Sequence, residues 1–208
     1  MKKIGLLIRR ALPKNVRHVL RLGSHLISKA QPSPAIPPEL LQDCRVCASR
    51  LHMLEKLPPG GRVAEIGTFR GEFAKQILAI CRPAELHLVD LDFSILIDEV
   101  AADARVQQHR GLSNEILRSF PDGHFDWIYV DANHTHAAVR QDAEAAARKV
   151  KPGGLLIFND FAHIDPYLGT YGVHRAVVEF ATEHAWRFVW LAYEPHALYD
   201  VALQRPTG

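Results

Sequence analysis

An aspartate, an asparagine and two histidines crowd into YVDANHTH, residues 129–136, where a short apolar run gives way to an alanine-rich stretch. His134 lies three residues beyond Asp131. An imidazole, with a reference pKa of about 6.5, suits removal of a proton from a hydroxyl. A carboxylate beside it can orient the ring or hold a cation. The plainer reading is that Asn133 or Thr135 caps a helix over 135–149 and the histidines sit in its first turn. The two readings are compatible, because capping leaves Asp131 and His134 available for chemistry. His136, and His163 three residues after Asp160, are further candidate bases.

A second constellation is AEIGTFRGEF, residues 64–73. Gly67 permits a tight turn and Gly71 lets the next helix begin close to a ligand. The dinucleotide fingerprint needs G-x-G-x-x-G with a pyrophosphate on the helix N-terminus. This loop instead has Gly67 and Gly71 four apart, with Glu65 in the strand end. A carboxylate there would repel a pyrophosphate and suit an ammonium or sulfonium group. An ordinary glycine turn explains the glycines but not Glu65, since a lone buried charge is costly. About 20 residues beyond the glycine turn, Asp90 can accept both hydroxyls of a ribose, and nearby Asp92 could substitute. In HRGLSNE (109–115), Ser113 can cap the following helix, or the Gly111–Ser113 backbone can border an adenine.

These groups are positioned by an alternation of two textures. Strand-like runs cover 62–66, 85–90, 105–109, 125–131 and 154–158. Helical patterns lie near 71–81, 93–102, 113–119, 135–149 and 173–184. Such alternation implies parallel strands joined by right-handed crossovers. The runs 186–192 and 197–204 are separated by YEPH alone, too short for a helix, so they should form an antiparallel hairpin. The expected fold is therefore α/β, a Rossmann-like doubly wound sheet of seven strands with the last strand antiparallel. Ligands bind such sheets at the carboxyl ends of the strands.

Upstream, Leu40, Cys44, Cys47, Leu51 and Leu54 recur at spacings of four and three, which predicts one helix over 39–57. Both cysteines then fall in its apolar stripe and read as core; a lone CxxC is weak evidence for zinc. Residues 1–38 carry eight lysines and arginines and no acid, whereas the rest of the chain has 17 basic and 23 acidic side chains. The acidic body argues against a nucleic-acid groove. Ile4, Leu7, Ile8, Ala11 and Leu12 share a helical face, and QPSPAIPP (31–38) reads as a stiff linker. The chain is thus divided into a helical extension with linker (1–38) and a catalytic domain (39–208). The basic helix either meets an anionic membrane through residues 2–21 or packs on the body or on a second copy in a homodimer. Three cysteines fit a reducing compartment, and no apolar run approaches the ~20 residues needed to span a bilayer. The apolar stretch of MKKIGLLIRR is too short for a cleavable signal, so a cytoplasmic protein is expected.

Taken in order, Glu65-Ile66-Gly67-Thr68-Phe69-Arg70-Gly71, Asp90, Gly111-Leu112-Ser113, Asp131 and KPGGLLIFND (151–160) resemble the motifs of class I S-adenosylmethionine-dependent methyltransferases. The E-x-G-x-x-x-G form is similar to the catechol O-methyltransferase branch. VDANHTHAAVRQD followed by KPGGLLIFNDF resembles the macrocin O-methyltransferase-like group. The resemblance covers roughly residues 45–205. It implies that Glu65, Ile66, Gly67, Thr68 and Gly71 cradle the methionine end of S-adenosylmethionine and that Asp90 holds its ribose. Gly111, Leu112 and Ser113 would flank the adenine, with Asp131 adjoining the cofactor. Metal-dependent members bind a divalent cation with residues that correspond to Asp131, Asn159 and Asp160. The catechol enzymes have Asp-Asn where this chain has Asn-Asp, which leaves open which of the two would ligate. Mg²⁺ there would acidify a hydroxyl of a sugar, phenol or other small molecule, with His134 taking the proton. Two rivals stand beside this reading. One is a nicotinamide-dependent oxidoreductase, disfavoured by Glu65; the other is a noncatalytic cofactor-binding or membrane-tethering module.

Overall fold

The computed structural model describes residues 33–162, 164–165, 169–170, 172–193 and 199–207. The basic segment 2–21 and His163 lie outside the described residues. The strands are β1 (Arg45–Cys47), β2 (Arg62–Ile66), β3 (Glu85–Asp90), β4 (Val106–Arg110), β5 (Phe125–Val130), β6 (Val150–Phe158), β7 (Ile164–Asp165), β8 (Gly169–Thr170), β9 (Arg187–Tyr193) and β10 (Tyr199–Gln204). The α-helices are α1 (Arg50–Leu54), α2 (Glu72–Ile80), α3 (Asp98–Ala101), α4 (Ser113–Ser119), α5 (His136–Ala147) and α6 (Val173–His184). One eight-stranded sheet runs β1-β9-β10-β6-β5-β2-β3-β4, and β7 and β8 form a separate two-stranded ribbon. The last strand, β10, is antiparallel to both β6 and β9, as the short YEPH connection requires.

Alternation along the strands sends successive side chains to opposite faces. On β5, Ile128 and Val130 join one buried layer, packed under Leu117, Val139, Ala143 and Phe180 of α4, α5 and α6. Trp127 and Tyr129 join the other, with Met53, Leu54, Ala74, Ile77 and Val100 of α1, α2 and α3. Trp127, Tyr129, Phe125 and Phe158 are among the largest fully buried side chains. Each such ring contributes roughly 2–3 kcal/mol by removal of apolar surface from water.

Two expectations are corrected. The predicted helix over 39–57 is a 3₁₀ turn (Pro38–Leu40), strand β1 and the short helix α1. Sheet edge β9 offers unpaired backbone, which Arg45, Val46 and Cys47 take up in register with Trp190, Leu191 and Ala192. Ser49 then restarts the chain as a helix, its hydroxyl accepting from the His52 amide. The sheet consequently has eight strands rather than seven. Cys47 is buried in one layer while Cys44 packs, partly buried, against the other, so the pair is core but shares no helical face. Residues ahead of the 3₁₀ turn also touch the body, since Ile36 packs against the core. Among the described residues no helix is long and apolar enough to cross a membrane.

Candidate active site

Strands β2, β3, β4, β5 and β6 are parallel neighbours whose ends lie level: Ile66 is in register with Val89 and Val130, and Val130 with Phe158. The order reverses at β2, which has β3 on one side and β5 on the other. A crevice must open there, because the connections from β2 and β5 leave on opposite faces. Two cavities occupy it, of about 480 Å³ and 680 Å³. Both are lined by Gly67, Phe69 and Asp131.

Gly67 is required by close approach. Its φ is +88°, and a Cβ would stand 2.1 Å from the Asp131 carbonyl oxygen. Its amide donates to the Val89 carbonyl at 2.8 Å, and the Asp131 amide donates to the Ile66 carbonyl at 2.7 Å, so the three strand ends are tied together. Asp90 lines the first cavity and accepts the Phe69 amide at 2.8 Å and the Asp92 amide at 3.2 Å. These bonds orient its carboxylate. Asp92 instead binds Ser94, stays on the surface and lines neither cavity. Gly111, Leu112 and Ser113 line the same cavity. Ser113 does not cap its helix; its hydroxyl donates to Asp142 at 2.6 Å. Burial holds the Asp142 carboxyl above its ordinary range, with the Ser113 bond partly opposing.

Glu65, only 1% exposed, lines the second cavity beside Thr68. Burial first, and then the nearby Asp131 charge, push its carboxyl well above the usual range. Its Oε2 is buried without a hydrogen-bond partner among the described residues. An acid held this way gains most from a ligand that brings positive charge. Two predicted cofactor residues line neither cavity. The Ile66 side chain is in the core, and its carbonyl is taken by the Asp131 amide. Gly71, at φ +84°, lines neither cavity and serves the packing of α2 on Leu96, 2.6 Å from where its Cβ would be.

His134 stands at the same strand ends, its Nε2 3.4 Å from Asp131 Oδ1 and 3.7 Å from Asp160 Oδ2. Its carbonyl accepts the Gly172 amide at 2.8 Å, which anchors the loop to the start of α6. Burial lowers the proton affinity of the ring. The bond to Asp131, the charges of Asp131 and Asp160 and a bond to Asn159 outweigh it, so the imidazole titrates above its ordinary value. Thr135 caps α5 by accepting the Ala138 amide, and Asn133 accepts the Thr135 amide, so the capping reading holds. His136 is turned away, bonded to Glu179 of α6 at 2.6 Å.

Of the expected metal trio, Asp131 and Asp160 each lie within 4 Å of His134 Nε2, at 3.4 Å and 3.7 Å, and Asn159 also bonds the ring. Asn159 is 6% exposed and gives its amide hydrogens to Asp200 at 3.0 Å and to the Tyr129 hydroxyl at 3.3 Å. Two other described groups of histidine and carboxylate ligand atoms converge, Glu85 with His87 and His124, and Glu144 with Glu183 and His184. Sequence reasoning missed Asp142, Tyr129 and Asp200. Only Asp142 carried a signal, a carboxylate spaced with Val139, Ala143 and Ala146 on the buried face of α5.

This eight-stranded α/β sheet, with acids at three of its strand ends, has the Rossmann-like methyltransferase fold. Residues 64–161 match the model of the Methyltransferase domain family. A candidate hemolysin from Lactococcus lactis superposes with a TM-score of 0.61 at 16% identity, over 76% of this chain and 84% of that one. The N-methyltransferase NodS from Bradyrhizobium japonicum WM9 gives 0.55 at 16% identity, over 76% and 94%. An O-methyltransferase family protein from Burkholderia thailandensis gives 0.58 at 16% identity, over 76% and 56%. No curated protein matches significantly. The family match and the shared fold support a class I S-adenosylmethionine-dependent methyltransferase.

Proposed function

We propose that the protein transfers the methyl group of S-adenosylmethionine to a hydroxyl of a small molecule, with His134 as the proton acceptor. Asp90 takes the ribose, and the first cavity, bordered by Gly111, Leu112, Ser113 and Asp142, takes the adenine. Asp131 lies where the two cavities meet, so the sulfonium is expected beside it. An acceptor oxygen then attacks the methyl carbon, the sulfur–carbon bond breaks, and the hydroxyl proton passes to His134. Alignment of oxygen, carbon and sulfur is the main contribution of such a site. Asp131 and Asp160, with Asn159 beside them, would be the residues to hold a divalent cation, which would acidify the acceptor hydroxyl.

The observation that carries this reading is the Asp131 carboxylate, which lines both cavities and lies 3.4 Å from His134 Nε2. The test is methyl transfer from labelled S-adenosylmethionine to a panel of phenols, sugars and hydroxylated natural products, with and without EDTA. His134→Asn should lower turnover at least 100-fold while S-adenosylhomocysteine still binds. Turnover that survives the substitution, or a protein that binds NADH and not S-adenosylhomocysteine, would overturn it.

A further inference from the structure

Away from both cavities, Glu85, His87 and His124 each present a ligand atom within 4.8 Å of the other two. Glu85 and His87 stand two apart on β3 and so face the same side of the sheet. His124 immediately precedes β5, and β2 separates β5 from β3. His87 Nε2 is 3.2 Å from Glu85 Oε2, close to the ~3.3 Å edge of a tetrahedron of ligands about zinc. Its Nδ1 is 3.0 Å from His109 Nε2 on β4, the kind of outer contact that fixes the tautomer and aim of a ligating imidazole. Hydrogen bonds among Glu85, His87 and His109 leave out His124, whose Nε2 is buried without a partner among the described residues. We propose that Glu85, His87 and His124 bind a divalent d-block cation such as Zn²⁺, which clamps the start of β3 to the start of β5.

Two imidazoles and a carboxylate are a donor set that zinc takes with a fourth position open to water. The aromatic wall of Phe120 and Phe125 packs against His87 and His124, so the rings are held before any ion enters. Local charge is already balanced: Arg62 pairs with Glu85 at 2.8 Å, and Lys151 with Asp126 at 2.6 Å. Arg62 bonds both Glu85 oxygens, and the Gln107 amide reaches Oε2 at 3.5 Å. A carboxylate has about four lone-pair sites, so Glu85 can accept these donors and still face a cation. The other convergent group, Glu144, Glu183 and His184, is exposed, and Arg140 bonds both of its acids. It therefore lacks a buried ligand and carries no such assignment. The proposed site is independent of the methyl-transfer reading, because none of its residues lines either cavity.

The experiment is titration of the full chain, stripped of metal with EDTA and dialysed, with Zn²⁺ by calorimetry and with Co²⁺ by visible absorption. The wild-type protein should take up Zn²⁺ and melt at a higher temperature with it, as a ligand of the native state requires. Its Co²⁺ form should show d–d bands without a thiolate charge-transfer band, which separates this site from the cysteines. His124→Ala and Glu85→Gln should each bind one equivalent fewer, whereas His184→Ala and His134→Asn should retain that equivalent. His109→Ala removes the outer contact but no ligand, and should weaken uptake about 10–100-fold; it serves as the test if a ligand variant fails to fold. No uptake by the wild-type chain overturns the assignment. So does a thiolate band, or uptake that His124→Ala, Glu85→Gln and His109→Ala leave unchanged while His184→Ala or His134→Asn abolishes it.

Discussion

At the scale of single residues, the site depends on charges placed where water is absent. Glu65 shows the consequence most directly. Its folded proton affinity is raised above the ordinary value of 4.5, so deprotonation is disfavoured in the native state. Stability is therefore lost as pH rises from that value through the folded pKa. Removing the charge should not harm the fold: Glu65→Gln is expected to leave the melting temperature at pH 8 unchanged or higher. The same substitution should weaken S-adenosylhomocysteine binding tenfold or more, and calorimetry in buffers of different ionisation enthalpy should show that wild-type binding releases a proton. A lower melting temperature, or binding without proton release, would mean that Glu65 is structural. This residue was legible in the sequence because a carboxylate inside an apolar strand has no cheap alternative explanation.

At the scale of elements, the strand ends bring the chemistry together and the last strand braces it. Asp200, fully buried at the start of β10, accepts the Tyr129 hydroxyl at 2.5 Å and the Asn159 amide at 3.0 Å. It thereby links β10 to β5 and to the end of β6, and through Asn159 to His134. Asp200→Ala leaves two buried donors without an acceptor and should cost about 2–4 kcal/mol in denaturant unfolding. Asp200→Asn retains one acceptor oxygen; it should fold, with turnover down more than tenfold and the S-adenosylhomocysteine dissociation constant within threefold. Unchanged turnover in that variant would limit Asp200 to packing. The β2 turn gives a second test. Gly67→Ala combines a strained φ with a Cβ driven into the Asp131 backbone, and should destabilise by on the order of 3 kcal/mol or more. The parallel strands and the C-terminal hairpin could be read from the sequence because their apolar runs and short connections admit few topologies. Strand β1 could not. Its spacing of four and three satisfies a helix, and only the presence of an unpaired sheet edge decides otherwise. Nor does strand-end position say that Asn159 bonds Asp200 on one side and His134 on the other.

At the scale of the whole molecule, the sheet separates two kinds of polar cluster. The carboxyl ends of the strands carry the site, while β3, β4 and the start of β5 carry histidines packed against aromatic rings. His87, on β3, is 3% exposed and packs edge-on against Phe120 and Phe125. Its Nδ1 is 3.0 Å from His109 Nε2, and its Nε2 is 3.2 Å from Glu85 Oε2. Burial, followed by the opposing pull of Glu85 and the repulsion of His109 and His124, lowers its pKa from 6.5 to about 4. The unfolded chain thus binds a proton there that the native protein refuses. Stability contributed by the neutral ring is complete above 6.5 and is lost as pH falls toward 4, a loss on the order of 3 kcal/mol. Glu85, held down to about 2 by Arg62, adds its own loss only below 4.5, so the two windows are largely separate. Melting temperatures followed by circular dichroism should fall steeply between pH 6.5 and 4.5, and His87→Asn should flatten that limb while leaving S-adenosylhomocysteine affinity at pH 7.5 unchanged. The affinity should hold because His87 lies three residues back along β3 from Asp90, outside both cavities. A limb of the same slope in His87→Asn would place the acid sensitivity elsewhere, in His109 and His124, which burial also holds below the usual histidine range.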